Sequence, residues 1–293
     1  MEDTLLNMKP TRDYLVCVDS DGCVFDNMEL KHKECFCPTT INVWGAAERI
    51  ALRPGGCGVC QPVFQDPGNE PLSRSGAHTG ATGCPQRGPR AGLCLSRPDS
   101  VEKWIEETDS LSAIGIKEYA SAHGGDMDPV LATAARWSAE VDENIERIVH
   151  GVTPLPDVKD AFAEISRFAD IVIVSATPHE AIVREWSAQG LLEYITVVAG
   201  QELGTKKDCI HKSMESRYAA NHVLMVGDAP GDHDAAQSNG VLFDPIIPSQ
   251  EVESWSRLRS EASKKFRDGS YAGNYMSSIL AQFDSVLRDE PNW

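Results

Sequence analysis

The chain has 293 residues, enough for one large domain or two modest ones, and an apolar content of 41% is enough to fill a core. Twenty-seven basic residues against 44 acidic ones leave a formal charge of −17, which argues against nucleic acid or an anionic membrane as partner. Any anionic substrate must therefore meet a locally positive site built from metal, Lys and helix N-termini. No apolar run approaches the ~20 residues of a transmembrane helix. Met1-Glu2-Asp3 lacks the basic and apolar regions of a signal peptide, so a cytoplasmic location is expected. The nine cysteines are odd in number, and Cys17 and Cys23 read as reduced, buried thiols.

In chain order, residues 14–19 read as a first buried strand, Val16-Cys17-Val18 leading into Asp19-Ser20-Asp21-Gly22. Residues 27–50 look helical in part. Cys35 and Cys37, with His32 nearby, lack a second ligand pair at good spacing, which weakens a metal reading for them. Residues 53–98 break the pattern: nine Gly, seven Pro, four Cys and five Arg, with only Asp66 and Glu70 acidic. Three readings stay open there: a disordered or loop-rich insertion, a zinc loop using Cys57, Cys60, Cys84 and Cys94, or a frameshifted stretch standing where other helices belong. Amphipathic helices are expected over 99–121, after an Asp99-Ser100 cap, and over 128–149.

From residue 157 the rhythm becomes strand–helix. A helix over 157–168 precedes a strand at 170–175, and a helix through Ile182 and Trp186 follows. A strand at 195–198, a helix after Lys207, a strand at 223–227, a helix over 234–236 and a short strand at 241–243 complete it. Such alternation indicates a parallel, doubly wound α/β sheet. The tail from 250 to 293 looks helical.

Two Asp-rich turns sit on opposite halves of the chain: Asp19-Ser20-Asp21-Gly22 and Gly227-Asp228-Ala229-Pro230-Gly231-Asp232. Each follows an apolar strand, and open α/β sheets bind ligands at the carboxyl ends of their strands. Four carboxylates gathered there would repel one another without a cation, and oxygen-only ligands favour Mg²⁺. Between them lie Ser175, ending the strand Ile171–Val174, and the basic turn Gly204-Thr205-Lys206-Lys207.

Asp-x-Asp-Gly, then Ser, then Lys, then Gly-Asp-x-x-x-Asp, in that order and each at a strand end, resembles the haloacid dehalogenase superfamily, most of whose members are phosphatases and phosphomutases. The resemblance implies a doubly wound core over 1–26 and 151–249, a helical cap inserted at 27–150 and a C-terminal helical extension at 250–293. It also implies roles. Asp19 is the nucleophile that forms an aspartyl-phosphate and touches the metal. Asp21 is the general acid–base, with its backbone carbonyl on the metal. Its presence favours phosphate esters, since members that cleave carbon–halogen bonds lack an acid there. Ser175, together with Lys206 or Lys207, binds the phosphoryl group, and Asp228 and Asp232 complete the metal site. Plainer readings compete: a turn residue for Asp19, helix caps for Ser175 and Asp232, and a surface lysine for at least one of the pair. Capped relatives often place a hinge and a His just after the first turn. Here Asp26, Glu29, Lys31 and His32 occupy that stretch, with Lys31 nearest the position of the His. His179 follows Ser175 and reads mainly as a helix N-terminal residue.

The expected function is a Mg²⁺-dependent phosphohydrolase acting on a small phosphorylated metabolite. The alternatives are a phosphomutase resembling β-phosphoglucomutase and a non-catalytic binding protein of the same superfamily with a defective cap.

Overall fold

The computed structural model describes residues 5–44, 103–105, 107–108, 113–123 and 128–287. The segment 53–98 and the Asp99-Ser100 cap, with the readings attached to them, lie outside the described residues. The chain divides into two compact units, Met1–Asn27 with Gly151–Trp293, and Met28–His150.

The first unit is a five-stranded parallel sheet in the order β3-β2-β1-β4-β5, formed by β1 (Tyr14–Val18), β2 (Ala169–Val174), β3 (Val197–Ala199), β4 (Val223–Gly227) and β5 (Leu242–Pro245). Successive side chains of a strand face opposite sides, and here both sides are buried. Val16, Val18, Ile171, Ile173, Leu224 and Val226 enter one core cluster. Leu15, Cys17, Val172, Val174, Val223 and Met225 enter the other. This is why the strands read as continuous apolar runs rather than as alternating ones.

Before the sheet resumes at β2, the second unit carries α1 (Met28–Lys31), a π turn (His32–Phe36), α2 (Cys37–Trp44), α3 (Ala113–Ala122) and α4 (Pro129–Ile148). The Asp128 side chain caps α4 by accepting from Val130 N–H at 2.7 Å, and Pro129 supplies a preset first turn. Trp137 is fully buried between Phe36 and Val141, and its indole donates to Thr40 Oγ1 at 3.0 Å. Cys35 and Cys37 are buried, form no disulfide and belong to no metal-ligand group among the described residues.

Back in the first unit, α5 (Val158–Ile165) and α6 (His179–Ala188) cover one face of the sheet. α7 (Lys206–Met214) and α8 (Pro230–Ser238) cover the other. The tail forms α9 (Glu251–Arg257), a second π turn (Leu258–Ala262), α10 (Ser263–Asp268) and α11 (Asn274–Val286). Trp255, Leu258, Ala262, Phe266 and Tyr271 lie in the first core cluster, and Phe283 lies in the second. The C-terminal helices therefore fill the sheet's own core on both faces. Element bounds differ from the sequence expectation most at α8, which begins at Pro230 rather than at 234, and at α5, which ends at Ile165 rather than at 168. β3 begins at Val197 after a short 3-10 turn, and Thr196 N–H donates to Ile171 O of the neighbouring strand at 2.8 Å.

Asp170 is the polar anchor of the amino end. Although in the strand, it is 3% exposed. Its carboxylate accepts from Thr11 N–H and Arg12 N–H, from Thr11 Oγ1 at 2.6 Å and from Tyr218 OH at 2.7 Å. Burial pushes this carboxyl up, and the donors of Thr11, Tyr218 and Arg12 more than offset it, leaving it below its ordinary value. Asp170→Asn should cost about 2–3 kcal/mol in urea unfolding near neutral pH, because a charged acceptor of several hydrogen bonds is lost. The native carboxyl titrates below the unfolded one. Its contribution is thus complete above the ordinary Asp value and disappears as pH falls through the native value. The stability gap between wild type and Asp170→Asn should narrow accordingly in acid, and a gap that widens there would contradict the assignment.

Candidate functional site

Every strand that flanks β1 delivers a polar residue where it ends. Asp19 follows Val18, Ser175 follows Val174 and Asp228 follows Gly227. The sheet order reverses on either side of β1, so these residues gather at the topological switch point. Asp19 N–H extends the ladder to Val226 O at 3.0 Å, and Ser175 N–H extends it to Ala199 O at 3.0 Å. The Asp19 turn then tightens through Gly22, whose φ of 77° is unfavourable for any residue with a Cβ. Gly22 N–H donates to Phe25 O at 2.9 Å.

Lys206 comes in from the next helix. Thr205 and Asp208 form a reciprocal capping box at the start of α7. That box sets the first residue of the helix, Lys206, pointing inward. Its side chain is 6% exposed and its Nζ lies 3.0 Å from Asp19 Oδ2 and 2.7 Å from Asp232 Oδ1. Lys207, about 100° further round the helix, is exposed. The structure thus separates the two lysines that sequence alone leaves open.

Asp232 has no exposed surface. One oxygen holds Lys206, and the other accepts from Ala229 N–H at 3.2 Å, capping α8. One side chain therefore both caps the helix and holds Lys206. Gly227 makes room for it: a Cβ at that position would stand 2.3 Å from Asp232 Oδ2.

Asp19, Asp228 and Asp232 each offer a carboxylate oxygen within 4.8 Å of the others. Burial pushes the Asp19 carboxyl up to about 7; Lys206 opposes that rise and Asp232 adds to it. Burial likewise raises Asp228, and Asp19 and Asp232 raise it further. One ammonium does not balance three buried carboxylates. Asp228 Oδ1 is buried without a hydrogen-bond partner. An oxygen-only donor set with one buried oxygen unsatisfied and charge left over suits a hard divalent cation such as Mg²⁺.

Asp21 is 8% exposed and stands apart from this group. Asn27 Nδ2 donates to its Oδ1 at 2.5 Å, and Thr177 Oγ1 donates to its Oδ2 at 2.7 Å. Sequence reading missed both partners. Thr177 reads as part of a helix cap, and nothing in the spacing marks Asn27. Ser175 is 5% exposed, and its Oγ accepts from Thr177 N–H at 3.2 Å. His179 begins α6, and its backbone N–H is taken by the carboxylate of Glu202 at 3.1 Å. Asp26 and Glu29 are exposed, His32 is partly buried, and Lys31 is 3% exposed within the second unit.

Residues 100–243 match the haloacid dehalogenase-like hydrolase family. The match includes Ser175, Lys206, Asp228 and Asp232 and starts after Asp19 and Asp21. Among solved structures, a haloacid dehalogenase-like family hydrolase of Streptococcus pneumoniae aligns at 14% identity, over 82% of this chain and 90% of that one, with a TM-score of 0.45. A predicted phosphatase of Clostridium acetobutylicum aligns at 13% identity, over 88% of this chain and 100% of that one, with a TM-score of 0.46. At these scores the structural likeness adds nothing to the assignment. No curated protein matches the chain. Residues 100–243, which carry Ser175, Lys206, Asp228 and Asp232 on the parallel sheet and its helices, are thus similar to the haloacid dehalogenase-like hydrolase family.

Proposed function

We propose that the protein is a Mg²⁺-dependent phosphohydrolase that cleaves a small phosphorylated metabolite through an aspartyl-phosphate. The observation that carries this reading is the buried Lys206 ammonium between Asp19 and Asp232, beside the unpartnered oxygen of Asp228. A carboxylate that is to attack a phosphate dianion needs nearby positive charge, and here that charge is fixed in advance in a water-poor site.

Asp19 attacks phosphorus, and the bond to the leaving oxygen breaks as the aspartyl-phosphate forms. Asp21, in its protonated form, delivers the proton to that oxygen. Its carboxylate then takes a proton from the water that attacks the aspartyl-phosphate, releasing inorganic phosphate and restoring Asp19. Thr177 and Asn27 hold both Asp21 oxygens, so the carboxyl is oriented before substrate arrives. Ser175 and the turn behind it offer donors to the phosphoryl oxygens. Lys206 offsets the charge of Asp19 and of the phosphoryl group. Asp19 and Asp228 would hold Mg²⁺, with the backbone carbonyl of Asp21 beside them and Asp232 fixing Lys206; when bound, the ion supplies further positive charge to the phosphoryl oxygens and relieves the repulsion among the carboxylates.

A screen of phosphate monoesters with Mg²⁺, repeated in EDTA, tests the reading directly. Asp19→Asn should lower kcat by about 10⁴-fold or more. Its thermal midpoint should stay the same or rise, since one of three crowded carboxylates is removed. Substantial turnover in a clean preparation would rule Asp19 out as nucleophile.

The two lysines should separate cleanly. Lys206→Met is expected to lose about 10²–10³ in kcat, whereas Lys207→Met stays within about twofold of wild type because its side chain faces solvent. Equal losses in both would contradict the geometry. Asp228→Ala should abolish the Mg²⁺ binding heat seen by calorimetry in the wild type, and unchanged affinity would place the ion elsewhere.

A further inference from the structure

Behind the Asp turn stand two fully buried tryptophans, Trp186 of α6 and Trp255 of α9. Trp186 Nε1 donates to Ser20 Oγ at 2.9 Å, and Trp255 Nε1 donates to Cys23 O at 2.7 Å. Ser20 is the residue between the two aspartates, and it is 1% exposed. Its carbonyl accepts from Val24 N–H at 2.8 Å and Phe25 N–H at 3.2 Å. Cys23 lies on the far limb of the same turn. The two indoles therefore grip both limbs, one through a side chain and one through the backbone.

Phe162 couples the two rings. It stacks on Trp186 with centroids 5.6 Å apart and meets Trp255 edge-on at 5.5 Å. Phe25, which closes the turn, meets Trp186 edge-on at 5.9 Å. The two indole N–H groups of this aromatic stack both end on the Asp turn. A buried indole usually finds an acceptor. Carbonyls of the adjacent helices would satisfy that need equally well. Instead, each indole reaches a residue far away in sequence, with separations of 166 and 232 residues.

We propose that Trp186 and Trp255 are positioning residues: they hold the Asp19–Asp21 turn so that the nucleophile and the general acid keep their relative placement during turnover. The proposal rests on the phosphohydrolase reading of the site. It makes α9, which the signatures do not include, a working part of the active site. A reaction in which one carboxylate attacks while another transfers a proton is sensitive to small displacements of either. Loss of the clamp should therefore appear in kcat more than in KM.

The test uses Trp186→Phe, which keeps an aromatic ring but deletes the N–H, Ser20→Ala, which keeps the tryptophan, their combination, and Trp255→Phe. With p-nitrophenyl phosphate and Mg²⁺, Trp186→Phe and Ser20→Ala should each lower kcat about tenfold, the kinetic equivalent of one hydrogen bond. KM should stay within about twofold. The combination should be no slower than the slower single variant, since both remove the same bond. Trp255→Phe should also lower kcat, and its loss should multiply with that of Ser20→Ala. Full kcat in either Phe variant, or losses of Trp186→Phe and Ser20→Ala that multiply, would overturn the proposal.

A second measurement does not need turnover. In ¹H–¹⁵N spectra, the indole signal absent from Trp186→Phe should move in both Ser20→Ala and Asp19→Asn. An unmoved signal overturns the clamp. A moved signal in a protein that hydrolyses no phosphate monoester overturns the phosphohydrolase reading instead and leaves the clamp between Trp186 and the turn standing.

Discussion

The ammonium of Lys206, buried between Asp19 and Asp232, is the contact on which the rest of the site depends. Breaking a buried ion pair by removing one partner costs several kcal/mol, on the order of 3–5, because the survivor is left charged and unpaired. The surrounding structure meets that constraint at each position. A capping box aims Lys206 inward. The bare Gly227 lets Asp232 approach, and Asp232 caps α8 while holding the lysine. Three carboxylates against one ammonium still leave negative charge unbalanced. That excess of charge is what the proposed cation would balance.

The sheet supplies the geometry for this. Strands β1, β2 and β4 lie side by side and parallel, so their carboxyl ends fall in one row. Residues as distant in sequence as Asp19 and Asp228 become neighbours without any long-range contact of their own being needed to bring them together. Both faces of the sheet are then sealed. Residues from the tail enter the two core clusters alongside those of the intervening helices. Away from the site, the buried carboxylates of Asp170 and Asp244 each meet specific partners.

Asp21, the proposed general acid, is held at both oxygens. Its two oxygens are each claimed by a neutral donor, Asn27 Nδ2 and Thr177 Oγ1. These donors fix the orientation of the carboxyl. Asp19, a few residues away and paired with Lys206, meets the opposite environment. Two carboxylates of one short turn thus meet different surroundings, which suits the different roles proposed for them.

Much of this was legible in the chain. Apolar runs ending in Asp, Ser or Gly-Asp marked the buried strands, because a strand covered on both faces has no polar side to show. The order of the four signatures pointed to the fold and to the acidic cluster, because strand ends of a parallel sheet must share an edge. Periodicity placed α4 to within a residue at either end. Tertiary structure alone turned Lys206 inward and left Lys207 exposed, since adjacent helix residues differ only in direction and the capping box sets the phase. It alone joined Thr177 and Asn27 to Asp21, drew the C-terminal helices into the core and set two indoles beneath the Asp turn. Those are contacts between residues with no local signature, and their spacing along the chain carries no trace of their meeting in space.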